Sequence, residues 1–188
     1  MQVPDKLTYK TTVTNVLREQ IRANGDFLAQ FHACIVDEWN RRPCYLEIGC
    51  DVGWTMISVA DSFSKLVGID IDEKRIEAAK KNVAEFGTPE KFNFVTGTRA
   101  DIPEDEYDVI LIDAAHDYEN VKADFQMVKE RNKLRNFLVY FHDYGLVDAG
   151  VKRFIDETFS KHVDGDPRGA NIAYMKGMKE SWNPLGGP

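Results

Sequence analysis

Between residues 44 and 70 an apolar run closes on an acid, a glycine turn follows, and a second apolar run closes on another acid. The segments are Tyr45-Leu46-Glu47-Ile48-Gly49-Cys50-Asp51-Val52-Gly53-Trp54-Thr55 and Leu66-Val67-Gly68-Ile69-Asp70. Short apolar runs bounded by glycines read as buried strands, and the stretch 54–63 between them has the length of a crossover helix, so the chain opens a βαβ unit. Gly49 and Gly53 lack Cβ, which lets the backbone turn tightly and approach a ligand. Asp70 ends the second strand, where a carboxylate can grip the two hydroxyls of a ribose. The pattern describes a nucleoside-binding crevice.

The alternation continues. Strands are expected at 44–48, 65–69, 92–96, 107–112 and 137–141, with helices at 54–63, 73–86, 118–131 and 151–159. Ile172–Met175 reads as a last strand, antiparallel to the rest, and Asp164-Gly165-Asp166-Pro167 as a turn. Repeated βαβ units predict an α/β fold with a doubly wound, mostly parallel sheet, in which ligands sit beyond the carboxyl ends of the strands. Ahead of this, Val13, Val16, Leu17 and Ile21, then Phe27, Leu28, Phe31, Ile35 and Trp39, recur at helical spacing on either side of Asn24-Gly25. The expected organisation is N-terminal helices over 1–40, a nucleoside-binding domain over 41–180 and a loose tail over 181–188. The helices are free to cover the cofactor, hold the substrate or form a homodimer face.

The chain has 188 residues, the size of one well-packed domain, and a formal net charge of −7 with no Lys/Arg stripe. A nucleic-acid backbone is therefore a poor partner, while a small polar acceptor is not excluded. Cys34, Cys44 and Cys50 form no close metal-type pair, and a sparse, odd set fits a reducing compartment. The first residues do not resemble a signal peptide and no run approaches a membrane span, so a cytoplasmic protein without membrane attachment is expected.

Charge in the glycine turn bears on the ligand. A dinucleotide fold presents Gly-x-Gly-x-x-Gly and a bare helix N-terminus to a pyrophosphate. Here Gly49 and Gly53 are separated by Cys50, Asp51 and Val52, and Glu47 and Asp51 would repel a phosphate. S-adenosylmethionine carries a sulfonium and an ammonium and no phosphate, so acids suit it. An NAD-linked oxidoreductase is the disfavoured alternative, a non-catalytic cofactor-binding module another, and a hydrolase lacks its Gly-x-Ser-x-Gly elbow. Two further strand ends carry chemistry: Ile112-Asp113-Ala114-Ala115-His116-Asp117-Tyr118, and Phe141-His142-Asp143-Tyr144-Gly145 followed by Gly150-Val151-Lys152-Arg153-Phe154. Asp113 and Asp143 each close an apolar strand, and the sheet should bring them to one rim.

Together these motifs resemble the class I S-adenosylmethionine-dependent methyltransferases, in a branch described as small-molecule O-methyltransferase-like; the likeness spans roughly residues 43 to 158. It implies a Rossmann-like methyltransferase fold. It also implies that Glu47, Gly49 and Gly53 surround the methionine part, that Asp70 holds the ribose, that Gly97, Thr98 and Arg99 meet the adenine, and that Asp113 faces the reacting end. Cys50, Trp54 and Ile71 complete the cofactor-contact set. Where many relatives have Gly-Asp this chain has Gly97-Thr98, so the adenine contact is expected from backbone N–H. Methyl transfer to an acceptor hydroxyl needs the hydroxyl aligned and deprotonated. Two routes stay open: His116 or His142 as general base, or Asp113, His142 and Asp143 holding Mg²⁺ or another divalent cation. His116 is equally readable as the cap of the helix at Tyr118. Tyr118, Tyr144 and Trp54 either shape an acceptor pocket or simply pack.

Overall fold

The computed structural model describes residues 43–134, 136–144, 150–159 and 172–178. The helices expected over 1–40, with their dimer face, the turn at Asp164–Pro167 and the tail lie outside the described residues.

The described chain forms a six-stranded sheet: β1 (Cys44–Ile48), β2 (Lys65–Asp70), β3 (Phe92–Thr96), β4 (Val109–Ile112), β5 (Asn136–His142) and β6 (Ile172–Met178), in the order β3-β2-β1-β4-β5-β6. The first five are parallel, and β6 pairs antiparallel with β5 from Asn136↔Met178 to His142↔Ile172. Helices α1 (Trp54–Val59), α2 (Glu73–Phe86), α3 (Tyr118–Arg131) and α4 (Gly150–Thr158) make up the crossovers and flanks. Strand order reverses between β1 and β4, and a crevice opens there at the carboxyl ends of the strands. Among the described residues no helix is long and apolar enough to cross a membrane.

Each buried strand feeds two cores, because successive side chains alternate faces. Leu46, Ile48, Val67, Ile69, Ile110 and Ile112 meet α3 and α4 through Val121, Phe125, Phe154 and Ile155. Tyr45, Leu66, Val109, Leu111 and Tyr140 meet α1 and α2 through Met56, Val59 and Ile76. Phe125, Phe141, Phe154 and Phe159 interlock with ring centroids 5.4–6.0 Å apart, two of the contacts edge-on.

Three boundaries differ from the sequence reading by two residues or more. Strand β4 starts at Val109 rather than Tyr107, because the buried Asn132 amide takes both backbone groups of Tyr107: the Tyr107 N–H donates to Asn132 Oδ1 (3.0 Å) and Asn132 Nδ2 donates to the Tyr107 carbonyl (2.9 Å). Helix α1 tightens after Val59 into a 3₁₀ turn, Ala60–Ser62, before Phe63 enters the core. Strand β6 runs on to Met178 because β5 offers a full-length edge to pair with.

Candidate active site

The crevice is a cavity of about 580 Å³ lined from five strand ends. After β1 come Gly49 and Asp51, after β2 Asp70 and Ile71, after β3 Thr98 and Arg99, after β4 Asp113 to His116, and at β5 His142 and Asp143. Asp70 on β2 and Asp143 beyond β5 are three strand spacings apart in the sheet, roughly 14 Å at ~4.8 Å per spacing, so an extended ligand can touch both.

Gly49 owes its place to the neighbouring strand end. It sits at φ +84°, and a Cβ there would come within 2.3 Å of the Asp113 carbonyl oxygen and 2.7 Å of Ala114 Cα. The absence of a side chain lets the β1 and β4 loops close on each other. Asp70, 8% exposed, fixes the adjoining turn: Asp51 N–H donates to Oδ2 (3.0 Å) and Asp72 N–H to Oδ1 (2.9 Å). Each oxygen keeps a lone pair for a ligand hydroxyl. Ile71 beside it is 76% exposed, a large apolar side chain spread along the cavity.

At the other end four groups converge. His116 Nε2 is 2.7 Å from Asp143 Oδ2 and 3.9 Å from Asp113 Oδ1, while His142 Nδ1 is 3.1 Å from Asp113 Oδ1 and 3.2 Å from Asp143 Oδ1. Burial pulls the His142 imidazole down, but its hydrogen bond and attraction to Asp113, and then Asp143, outweigh that and hold its pKa up at about 9. His142 is thus a cation at neutral pH and no proton acceptor. Asp143 adopts φ +60°, a left-handed conformation that Asp tolerates better than most residues and that turns its carboxylate back over the rim. The donor atoms lying within 4.8 Å of one another belong to Asp113, His116 and Asp143. His116 thus joins the two carboxylates among the described residues, and His142 Nδ1 stands beside the same pair. His116 is not the helix cap: Asp117 holds that role, accepting from the Asn120 N–H at 3.1 Å.

Several expected contacts do not reach the cavity. Glu47 is 2% exposed and its carboxyl accepts from the Tyr45 hydroxyl at 2.8 Å; burial, partly offset by that bond, pushes its pKa well up, so it lies beneath the glycine turn rather than at the rim. Cys50 is buried because Gly68 of β2 leaves room for its sulfur, and burial pushes its thiol up, away from nucleophilic use. Gly53 caps α1 with φ +81° against Ala79 of α2, and Trp54 packs on Phe86. Tyr118 meets Phe154 edge-on and Tyr144 donates to Asp156 (3.0 Å), so both pack outside the cavity. The backbone N–H expected to meet an adenine is engaged as well: Thr98 N–H donates to Asp101 Oδ2 at 2.9 Å, and Gly97 N–H to the Asp70 carbonyl at 2.9 Å.

The lining also holds residues that the motif reading passed over. Arg75 pairs with Asp51 at 3.2 Å. Arg99 Nε pairs with Asp124 Oδ1 at 2.8 Å, and its Nη2 donates to Asn120 Oδ1. Asp124 is 2% exposed, and burial, against the pull of Arg99, raises its pKa to about 6. A signal for it existed: Asp124 sits on the same helical stripe as Val121, Phe125 and Val128, an acid where spacing calls for an apolar residue.

Residues 46–133 match the model of the methyltransferase domain family. Over this span the chain is similar to methyltransferase domains, and its fold is the Rossmann-like fold that methyltransferases share. No curated protein matches the chain in sequence at a significant level. Among solved structures the chain resembles an O-methyltransferase of Bacillus cereus in complex with S-adenosylhomocysteine (17% identity, 89% of this chain and 92% of that one, TM-score 0.62). It also resembles the magnesium protoporphyrin IX methyltransferase of Synechocystis with bound S-adenosylmethionine (18%, 92% and 88%, TM-score 0.60). The YcgJ protein of Bacillus subtilis is similar over a shorter span (24%, 63% of this chain, TM-score 0.53), and this chain spans about half, 51%, of its length.

Proposed function

We propose that the domain binds S-adenosylmethionine and transfers its methyl group to a hydroxyl of a small-molecule acceptor. The observation that carries this reading is the convergence of Asp113, His116, His142 and Asp143 at one end of a cavity whose other end holds Asp70. When bound, S-adenosylmethionine supplies a methyl group on a positively charged sulfur. Asp70 orients the ribose, and Asp113 lies toward the reacting end, where its negative charge favours the sulfonium. His116 accepts the acceptor's proton: its Nε2 is held by Asp143, which leaves Nδ1 for the substrate and favours the charged imidazolium that forms. His142, already protonated, keeps the two carboxylates together without competing for that proton.

The cluster of Asp113, His116 and Asp143 supports a second route. Two carboxylates and one imidazole suit a divalent transition ion such as Mn²⁺ better than Mg²⁺, and an ion there would lower the pKa of the acceptor hydroxyl. The test is methyl transfer from labelled S-adenosylmethionine to a panel of hydroxyl acceptors, with EDTA and with added Mg²⁺ or Mn²⁺. Turnover in EDTA that is lost in His116→Ala supports the base. Turnover restored only by metal supports the ion. S-adenosylhomocysteine failing to bind at all overturns the proposal.

A further inference from the structure

The cavity lining contains a polar group that nothing in the reaction uses. Asp124 is 98% removed from solvent, it borders the cavity, and only one of its oxygens is engaged: Oδ1 takes Arg99 Nε at 2.8 Å, whereas Oδ2 is buried with no hydrogen-bond partner among the described residues. A buried carboxylate oxygen left unpaired is costly, and an acceptor held by an arginine is rigid; such a group is complementary to a donor that arrives with a ligand. The surroundings say which donor. The lining also includes Ile71, Thr98 and Arg99, with the broad, exposed apolar side chain of Ile71 available to lie against a flat ring. The Thr98 and Gly97 N–H groups are already committed, so discrimination along the base edge falls to side chains. Asn120 Oδ1 is taken by Arg99, whereas Asp124 Oδ2 is a buried acceptor with no partner among the described residues.

We propose that Asp124 Oδ2 accepts a hydrogen bond from the exocyclic amine of the cofactor's adenine, making Asp124, steadied by Arg99, the residue that selects adenine over 6-oxopurines. This rests on the S-adenosylmethionine reading above. It assigns to helix α3 a specificity role apart from the strand-end carboxylates.

The experiment is calorimetric titration of the full chain with S-adenosylhomocysteine, S-inosylhomocysteine and the N6,N6-dimethyl form of S-adenosylhomocysteine. The wild type should bind the first at least tenfold more tightly than either other ligand. In Asp124→Asn the amide keeps an oxygen for Arg99 and turns an N–H₂ toward the base, so the preference over S-inosylhomocysteine should fall at least tenfold. Asn120→Ala should leave it intact. An unchanged preference in a folded Asp124→Asn, or its loss in Asn120→Ala alone, overturns the assignment. So does wild-type binding of all three ligands within threefold, a result that needs no variant to fold. Binding of none of them by the wild type would overturn the cofactor reading, and this inference with it.

Discussion

Gly49→Ala and Gly53→Ala form a pair whose difference tests how the site is built. Both glycines sit in left-handed backbone, at φ +84° and +81°, so both substitutions strain the backbone by ~1–2 kcal/mol. They differ in what the new methyl group meets. At Gly53 the contact is Ala79 Cβ at 3.2 Å, a side chain that can give by a few tenths of an ångström. At Gly49 it is the Asp113 carbonyl oxygen at 2.3 Å and Ala114 Cα at 2.7 Å, backbone at the end of β4. Overpacking of that kind adds ~1–3 kcal/mol, so Gly49→Ala should cost about 2–5 kcal/mol and Gly53→Ala about 1–2. In urea denaturation the first variant should lose at least 1 kcal/mol more than the second. Because relief must come from the β4 loop, which carries Asp113, Gly49→Ala should also lose activity out of proportion to any loss of S-adenosylhomocysteine affinity. Equal destabilisation of the two variants, or a Gly49→Ala protein with wild-type stability, would refute the account of the turn as a close approach between loops.

Asp70→Ala should weaken S-adenosylhomocysteine by ~1.5–3 kcal/mol in calorimetry and also lower stability by ~1–3 kcal/mol, since Asp51 and Asp72 N–H lose their acceptor; affinity loss without stability loss would mean the turn does not need the carboxylate. His142 has a folded pKa of about 9 against an ordinary value near 6.5, so its contribution to stability is complete below about pH 6.5 and disappears as pH rises through 9. In EDTA, urea denaturation should show the wild type losing ~2–3 kcal/mol more than His142→Gln between pH 6.5 and 9.5, and parallel curves would contradict the pairing with Asp113 and Asp143. Asp143→Asn should reduce turnover at least tenfold while leaving S-adenosylhomocysteine affinity within threefold; equal loss of both would make Asp143 structural. Gly150→Ala should destabilise more than either loop variant, because its Cβ would come within 1.9 Å of Tyr118 N, and a soluble, fully stable variant would mean that α4 can move off α3.

What was legible in the sequence follows from where the physics is local. Helix α2 and strand β3 begin and end where spacing and caps put them: Asp72 accepts from Lys74 N–H at 2.8 Å, and Ile76, Ala79 and Val83 make the buried stripe. Asp113, His116, His142 and Asp143 could be gathered at one rim because parallel strands present their carboxyl ends together. Which of them face one another could not: His116 against Asp143 depends on the left-handed turn at Asp143, a property of the folded loop. The start of β4 was misread for the same reason, since Asn132, far along the chain, occupies the backbone of Tyr107.

The same distinction changes the electrostatic argument for a cationic ligand. A motif acid at the end of β1 suggests that Glu47 helps attract one, yet Glu47 is enclosed with Tyr45 and driven toward its neutral form by burial. Charge at the cavity must be counted over the residues that line it. These are five aspartates, Asp51, Asp70, Asp113, Asp124 and Asp143, against Arg75 and Arg99. The arginines are spent on Asp51 and Asp124, while Asp70 keeps its charge and, held by two backbone N–H groups, faces the ribose end. What remains is the Asp113–Asp143 end, where two carboxylates share the charge of His142 and the field stays negative. A preference for a sulfonium over a diphosphate is therefore expected from the β4 and β5 strand ends rather than from the glycine turn. Asp113→Asn should weaken S-adenosylmethionine more than the neutral-sulfur S-adenosylhomocysteine, by about the tenfold that ~1.4 kcal/mol of charge interaction represents, whereas Glu47→Gln should weaken both alike. If Glu47→Gln instead separates the two ligands and Asp113→Asn does not, the motif acid acts through its buried charge after all.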